Sequence, residues 1–253
     1  MGDHILQGRN AVVIGGSSGI GRAIAHGFQE SGARVAIIGR NQEKLDASLA
    51  ELRQTDKNAA AYSVDVTNWV HLQDAVTRIE EEFGPTHILV NSQGTTDIRP
   101  AIEVGEADFS AIIATNLTSV FSACRLFGER MLARQDGAII NIASLAAHRG
   151  WSKAVAYAAS KHGVAGLTMT LAAEWATQGV RVNAISPGYF MTALNRERMP
   201  PERKEMAIKR TPMARFGELP ELAQAAVYLA SPGASFVTGA ILNVDGGYLA
   251  SGI

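Results

Sequence analysis

The chain has 253 residues, of which 47% are hydrophobic and 19% charged, with a formal net charge of -1. That length buries a large core, the composition is too apolar for a disordered chain, and the near-zero charge advertises no nucleic acid or anionic membrane as partner. The single cysteine, Cys124, excludes an intrachain disulfide and so requires no oxidising compartment. The opening MGDHILQGRN lacks a signal peptide's apolar stretch, and no run approaches the roughly 18 apolar residues of a membrane span, so a soluble, cytoplasmic protein is expected.

Apolar runs rich in Val and Ile recur along the chain, at 10–16, 34–39, 59–66, 87–92, 137–144, 180–186 and 240–245. They are continuous rather than alternating, as expected of parallel strands covered on both faces. Helical periodicity fills the gaps, at 21–32, 42–54, 71–83 and 157–176, with Asn41 and Thr67 as N-caps. Gly32, Gly84 and Gly179 stand where helix C-terminal glycines belong. The alternation predicts an α/β protein with a doubly wound parallel sheet. The region 188–216, with Pro200, Pro201, Pro212 and clustered charges, breaks the rhythm after a strand. It is expected to be a substrate-covering lid on a single domain spanning 1–253.

Gly15-Gly16-Ser17-Ser18-Gly19-Ile20-Gly21 follows the first strand and opens the first helix. Glycines let the backbone approach a pyrophosphate, and the helix N-terminus supplies free N–H groups, so Gly15, Ser17, Ser18, Gly19, Ile20 and Gly21 are candidate cofactor contacts. The spacing is G-x-x-x-G-x-G rather than the usual dinucleotide fingerprint. A second strand ending Ile38-Gly39-Arg40 lacks the carboxylate that an NAD ribose wants and offers a guanidinium for a 2′-phosphate. NADP(H) is therefore favoured, with NAD(H) as the alternative.

Tyr157 and Lys161 lie four apart on a predicted helix and share a face. A tyrosine near its ordinary pKa of ~10 is too weak a base at neutral pH, and a neighbouring lysine cation lowers it. Ser144, ending the fifth strand, is placed to bind a substrate oxygen. Together these residues point to proton transfer at a carbonyl or alcohol.

On these motifs the chain resembles the short-chain dehydrogenase/reductase family over essentially its whole length, to Asn243-Val244-Asp245-Gly246-Gly247. The resemblance implies a Rossmann-like three-layer sandwich with a seven-stranded sheet, and a Ser144, Tyr157 and Lys161 triad. It further implies that Asn116 joins Lys161 to solvent through a water. Asp65 and Val66 would lie beside the adenine, Asn91 and Gly94 in the turn after the fourth strand. Pro187 and Gly188 would flank the nicotinamide, with Thr192 touching its carboxamide. The chain departs from the family at Gln93, where alanine is usual and a larger amide would either crowd the cofactor or add a polar contact, and at Ile14, where threonine is usual. Pro187-Gly188-Tyr189-Phe190-Met191-Thr192 and Lys209–Gly217 look most like the gluconate 5-dehydrogenase, sugar and polyol branch. The substrate expected is a small carbonyl or alcohol compound, and the assembly a homotetramer built on helices around 106–132 and 152–178.

Two rivals share these features: a 3-oxoacyl thioester reductase, and a catalytically silent dinucleotide-binding redox sensor. His148, Trp151 and Tyr189 join Ser144 as candidate substrate contacts, although packing accounts equally well for His148 and Trp151. Arg99, Lys209 and Arg210 are candidates to meet a sugar-acid carboxylate, although most exposed basic residues are only solvated. The six histidines have no metal-ligand spacing, and no metal site is expected.

Overall fold

Seven strands assemble in the order β3-β2-β1-β4-β5-β6-β7, every neighbouring pair parallel. They are β1 (Asn10–Ile14), β2 (Arg34–Gly39), β3 (Ala60–Ser63), β4 (Ile88–Asn91), β5 (Gly137–Ile142), β6 (Val180–Pro187) and β7 (Ile241–Val244). The structure is a computed structural model describing residues 4–251; residues 1–3 and 252–253, the ends of the expected domain, lie outside it. The strands are mostly apolar because each feeds two cores. Val12, Ile14, Leu89 and Ile139 face one layer, and Ala11, Val13, Val90 and Ile140 the other.

The first layer holds α3 (Trp69–Glu82), α4 (Glu106–Ile113), α5 (Ser119–Arg134) and α6 (Val155–Trp175), with Leu72, Phe127 and Val164 among its buried contacts. The second holds α1 (Gly19–Glu30), α2 (Gln42–Thr55) and α9 (Leu219–Ala230), with Phe28, Leu45 and Leu222 buried. The chain runs outward from β1 to β3, then returns to place β4 on the other side of β1. That reversal opens a crevice beyond the carboxyl ends of β1 and β4, where such sheets bind ligands.

Several boundaries differ from expectation for local reasons. The first strand stops at Ile14 because Gly15 takes φ +77° and turns the chain towards α1. Asn41 caps α2, accepting a hydrogen bond from Lys44 N. The cap of α3 is Asn68, not Thr67, and accepts from His71 N. Thr67 is already committed: its N–H and hydroxyl both donate to Asp65 Oδ1, at 3.0 and 2.7 Å. Gly32, Gly84 and Gly179 all adopt positive φ at helix ends, as expected.

The helical run Glu106–Arg134 is long and apolar enough, by length and composition, to cross a membrane, which corrects the expectation that no run approaches that limit. Its α5 portion buries Val120, Ala123, Leu126 and Phe127 in the protein core. The run is not uniform: α4 and α5 join through a π-helical turn, Ala114–Thr118.

The segment 188–216 contains two helices that the sequence did not suggest, α7 (Ala193–Arg198) and α8 (Pro201–Arg210). Its two ends are joined where Gly217 N donates to Tyr189 O and Met191 N to Gly217 O. The excursion therefore leaves and re-enters the body at one place.

Candidate active site

The glycine loop lies at the mouth of the crevice. A Cβ on Gly21 would overlap the Gly15 carbonyl, so glycine alone lets the first turn of α1 pack under the loop. Ser18 is the N-cap of α1 in an extended conformation, and its side chain makes no cap hydrogen bond. The first N–H groups of α1 and the Ser18 hydroxyl are thereby left to a ligand, the arrangement that receives a phosphate. Ser17, Gly19 and Ile20 are half-buried, Ile20 against the second core.

Beyond β2, Arg40 is exposed and carries its charge towards Asp65. Asp65 lies below the usual carboxylate range, chiefly through its hydrogen bonds from Thr67, with a smaller pull from Arg40. It lines a hollow of about 280 Å³ with Tyr62, His71 and Arg78. Val66 is buried in the core beneath. At Gly39 a Cβ would stand 3.0 Å from Ser17 Oγ, a contact that rotation of the serine side chain relieves. The pocket edge offers a hydroxyl and a guanidinium rather than a carboxylate.

β4 and the turn after it form the other wall. Asn91 is spent inside the protein: its Nδ2 donates to Asn141 Oδ1 at 2.8 Å and to Cys124 Sγ at 3.3 Å. Cys124 is more than the apolar filler expected, because its thiol joins this network, while burial pushes it up to about 12. Gln93 turns inward, donating to Ser119 Oγ on α5 at 3.1 Å.

Ser144, Tyr157 and Lys161 are brought together where β5 ends and α6 begins. Ser144 caps a short 3-10 turn, its hydroxyl accepting from Ala146 N. Tyr157 is partly accessible; packing around its hydroxyl raises its pKa, and the neighbouring Ser144 hydroxyl opposes that rise. Lys161 is 4% exposed, and burial alone lowers it to about 8. Its Nζ donates to Ile142 O at 2.7 Å and stands 5.7 Å from the Tyr157 ring centroid.

Asn116 occupies the π-helical turn and is fully buried. It accepts from Thr95 N and donates to Thr95 O, both at 2.8 Å, and donates to Ser160 Oγ at 3.1 Å. A Cβ on Gly94 would lie 3.6 Å from Asn116 Oδ1 and 3.7 Å from Lys161 Nζ. Gly94 thus keeps open the gap that both groups border.

Pro187 is buried, and Gly188 N donates to Val244 O, tying β6 to β7. Thr192 caps α7 by accepting from Asn195 N, and its methyl stands beside Gly19 of the glycine loop. Trp151 meets Tyr157 edge to face, with centroids 5.5 Å apart. Tyr189 packs edge-on against Tyr248 and Phe216. His148 Nε2 lies 3.0 Å from Ser186 Oγ, and that hydroxyl donates to Ser144 O at 2.8 Å. Arg99, one of the basic candidates for a substrate carboxylate, is held by Asp97 and Asp108.

Sequence reasoning missed Ser186, Ser160 and Thr95. Only Ser186 carried a signal, standing just before the Pro187-Gly188 turn at a strand's carboxyl end. Among the described residues no group of three His, Cys, Asp or Glu side chains gathers as metal ligands.

A family model described as enoyl-(acyl carrier protein) reductase matches residues 14–249. The chain is 41% identical over 246 residues to D-threitol dehydrogenase of Mycolicibacterium smegmatis, covering 97% of this chain and 95% of that protein. It is 44% identical over 248 residues to galactitol 2-dehydrogenase (L-tagatose-forming) of Cereibacter sphaeroides, covering 96% of each. A gluconate 5-dehydrogenase from Burkholderia cenocepacia J2315, solved in complex with NADP and tartrate, superposes with TM-score 0.94 at 35% identity over 99% of both chains. The crevice, its glycine loop and this likeness agree: the chain belongs to the short-chain dehydrogenase/reductase family of NAD(P)-dependent oxidoreductases.

Proposed function

We propose that this enzyme interconverts a ketone and a secondary alcohol on a sugar, polyol or sugar acid, using NADP(H) in preference to NAD(H), with Tyr157 as the acid/base. The observation that carries the reading is Tyr157 beside Ser144 and over buried Lys161, at the carboxyl end of the sheet. The names of the polyol and gluconate dehydrogenases similar to it support the substrate class.

A nicotinamide bound in the crevice supplies the hydride in reduction and accepts it in oxidation. The uncapped start of α1 and the loop Gly15–Gly21 would hold the pyrophosphate, with Asp65 and Val66 at the adenine. Gly94, the Asn91 backbone, Pro187, Gly188 and Thr192 would border the nicotinamide ribose and ring. Arg40 and Ser17, with no carboxylate at position 39, favour a 2′-phosphate. Ser144 holds the substrate oxygen. Tyr157 gives that oxygen a proton in reduction and takes it back in oxidation. Burial keeps the proton on Tyr157, while the Ser144 hydroxyl favours the phenolate; the Lys161 ammonium, 5.7 Å from the ring centroid, would add its charge to that pull once the phenolate forms, so the group works in both directions. Asn116, fixed by Thr95 and Ser160, supports proton resupply past Gly94.

His148, Trp151 and Tyr189 line the substrate side, and the segment 188–216 serves as the lid of a single domain. The working assembly is a homotetramer, supported by large apolar side chains left on the surface of α4, α5 and α6.

The test is initial rate with NADPH and NADH against 5-ketogluconate, neutral keto sugars and an acetoacetyl thioester. Turnover of a keto sugar or sugar acid, faster with NADPH, is expected. Turnover of the thioester alone overturns the substrate, and faster turnover with NADH overturns the role of Arg40. Tyr157→Phe should fold and bind cofactor while losing about 100- to 10,000-fold in turnover. A fully active Tyr157→Phe would sink the acid/base assignment.

A further inference from the structure

Arg203, on α8, places its guanidinium 5.1 Å from the Trp151 ring centroid. Trp151 in turn meets Tyr157 edge to face. One aromatic ring therefore separates this cation from the residue proposed to handle the proton. Arg203 is half-buried, and among the described residues no carboxylate pairs with it. Two other arginines, Arg99 and Arg215, are neutralised, the first by Asp97 and Asp108 and the second by Glu221. A second observation places positive charge on the same side. Burial raises the Tyr189 hydroxyl, and Arg203 and Arg210 both pull against that rise. The guanidinium lies over the indole and, among the described residues, its N–H groups make no side-chain hydrogen bond, which leaves them to a carboxylate.

Resting on the dehydrogenase reading above, we propose that Arg203 binds the carboxylate of an anionic polyhydroxy substrate, making this chain an oxidoreductase of sugar acids rather than of neutral polyols. The reacting carbon sits at Tyr157 and Ser144, the chain of hydroxyl-bearing carbons runs along Trp151, and the acid end reaches α8. Because Arg203 belongs to the excursion 188–216, the anion also bridges that segment to the loop before α6. Arg203 is a specificity-determining residue and takes no part in proton or hydride transfer. Lys209 and Arg210, exposed at the end of α8, add long-range attraction that salt screens.

The test compares wild type, Arg203→Met and Arg203→Lys, each oxidising D-gluconate and galactitol with NADP+, alongside calorimetric titration of gluconate into the enzyme saturated with NADP+. In Arg203→Met the KM for gluconate should rise about 10- to 100-fold, the range of a lost charge-assisted hydrogen bond, with kcat nearly unchanged. The KM for galactitol should not move, and Arg203→Lys should recover part of the gluconate affinity. Equal changes for both compounds would mean that Arg203 merely props Trp151, and no change for gluconate would remove Arg203 from recognition; either result overturns the proposal. The binding arm separates this proposal from the reading beneath it. Gluconate that binds to wild type but not to Arg203→Met, without turnover, upholds Arg203 and defeats the proposed reaction. Galactitol turnover without gluconate binding upholds the reaction and defeats Arg203.

Discussion

At the scale of single residues, the site depends on a lysine held where its charge is unwelcome. Burial lowers Lys161 from 10.5 to about 8 in the folded enzyme without cofactor, and the unfolded chain restores the ordinary value. Between those two pH values the unfolded state holds more protons, so this group's contribution to stability rises with pH across that window. Below pH 8 the full cost is present, on the order of 3 kcal/mol. Lys161→Met keeps the apolar stem and removes the charge, so its stability should lack this rise. Denaturant unfolding of both proteins at pH 7 and pH 10 checks it, and parallel pH curves would refute it. The same variant should lose turnover, because the phenolate of Tyr157 then has no cation beside it. Nearby, the chain from His148 through Ser186 to the Ser144 carbonyl gives Ser144 a fixed backbone.

At the scale of elements, caps decide where the segments that carry the site begin. Asn68, two residues beyond the Asp65-Val66 pair, caps α3, and Thr67 ties Asp65 to its own turn. Asn68→Ala should therefore cost about 1 kcal/mol of stability, read by chemical denaturation. Thr67→Ala should leave α3 capped and remove only the hydroxyl bond to Asp65, the backbone N–H of residue 67 remaining, so the Asp65 pKa climbs part of the way towards the ordinary carboxylate value, read by carbon-detected NMR titration. If Thr67→Ala destabilises the protein as much as Asn68→Ala, this division of labour is wrong. The case also shows what the sequence makes legible. The glycine loop and the Tyr157–Lys161 pair are local patterns on one loop and one helix face, so spacing reveals them. Either Thr67 or Asn68 satisfies the cap rule, and only the competing bond to Asp65 decides. Pro200, Pro201 and Pro212 suggested a loop, yet Pro201 opens α8, where its missing N–H costs nothing. α9 was overlooked although Glu218 and Glu221 form a capping box around Pro220. Arg203 against Trp151, and Ser186 against Ser144, join parts of the chain far apart in sequence, and no spacing rule reaches them.

At the scale of the whole molecule, the helices proposed to build the tetramer are also the helices that hold the groups proposed to transfer the proton. The run α4, π-turn, α5 carries Asn116, and α6 carries Tyr157 and Lys161. The same elements leave Phe109, Phe121, Val155 and Met169 exposed, an apolar cost that a second copy of the chain would relieve. Wide π-helical geometry at 114–118 gives up regular helix bonding to aim Asn116 inward, and a packed partner on the outer face would hold that turn in place. Assembly and turnover should consequently fail together. Phe121→Glu and Met169→Glu place charges on the outer face without touching the crevice, and each should shift the tetramer to smaller species by light scattering, with the circular dichroism spectrum preserved. The smaller species should retain cofactor binding, because the glycine loop belongs to β1 and α1 on another part of the sheet. Turnover should drop several-fold as Asn116 loses its support. A tetramer unaffected by both substitutions would move the interface elsewhere, and smaller species with undiminished turnover would uncouple the interface from the π-helical turn.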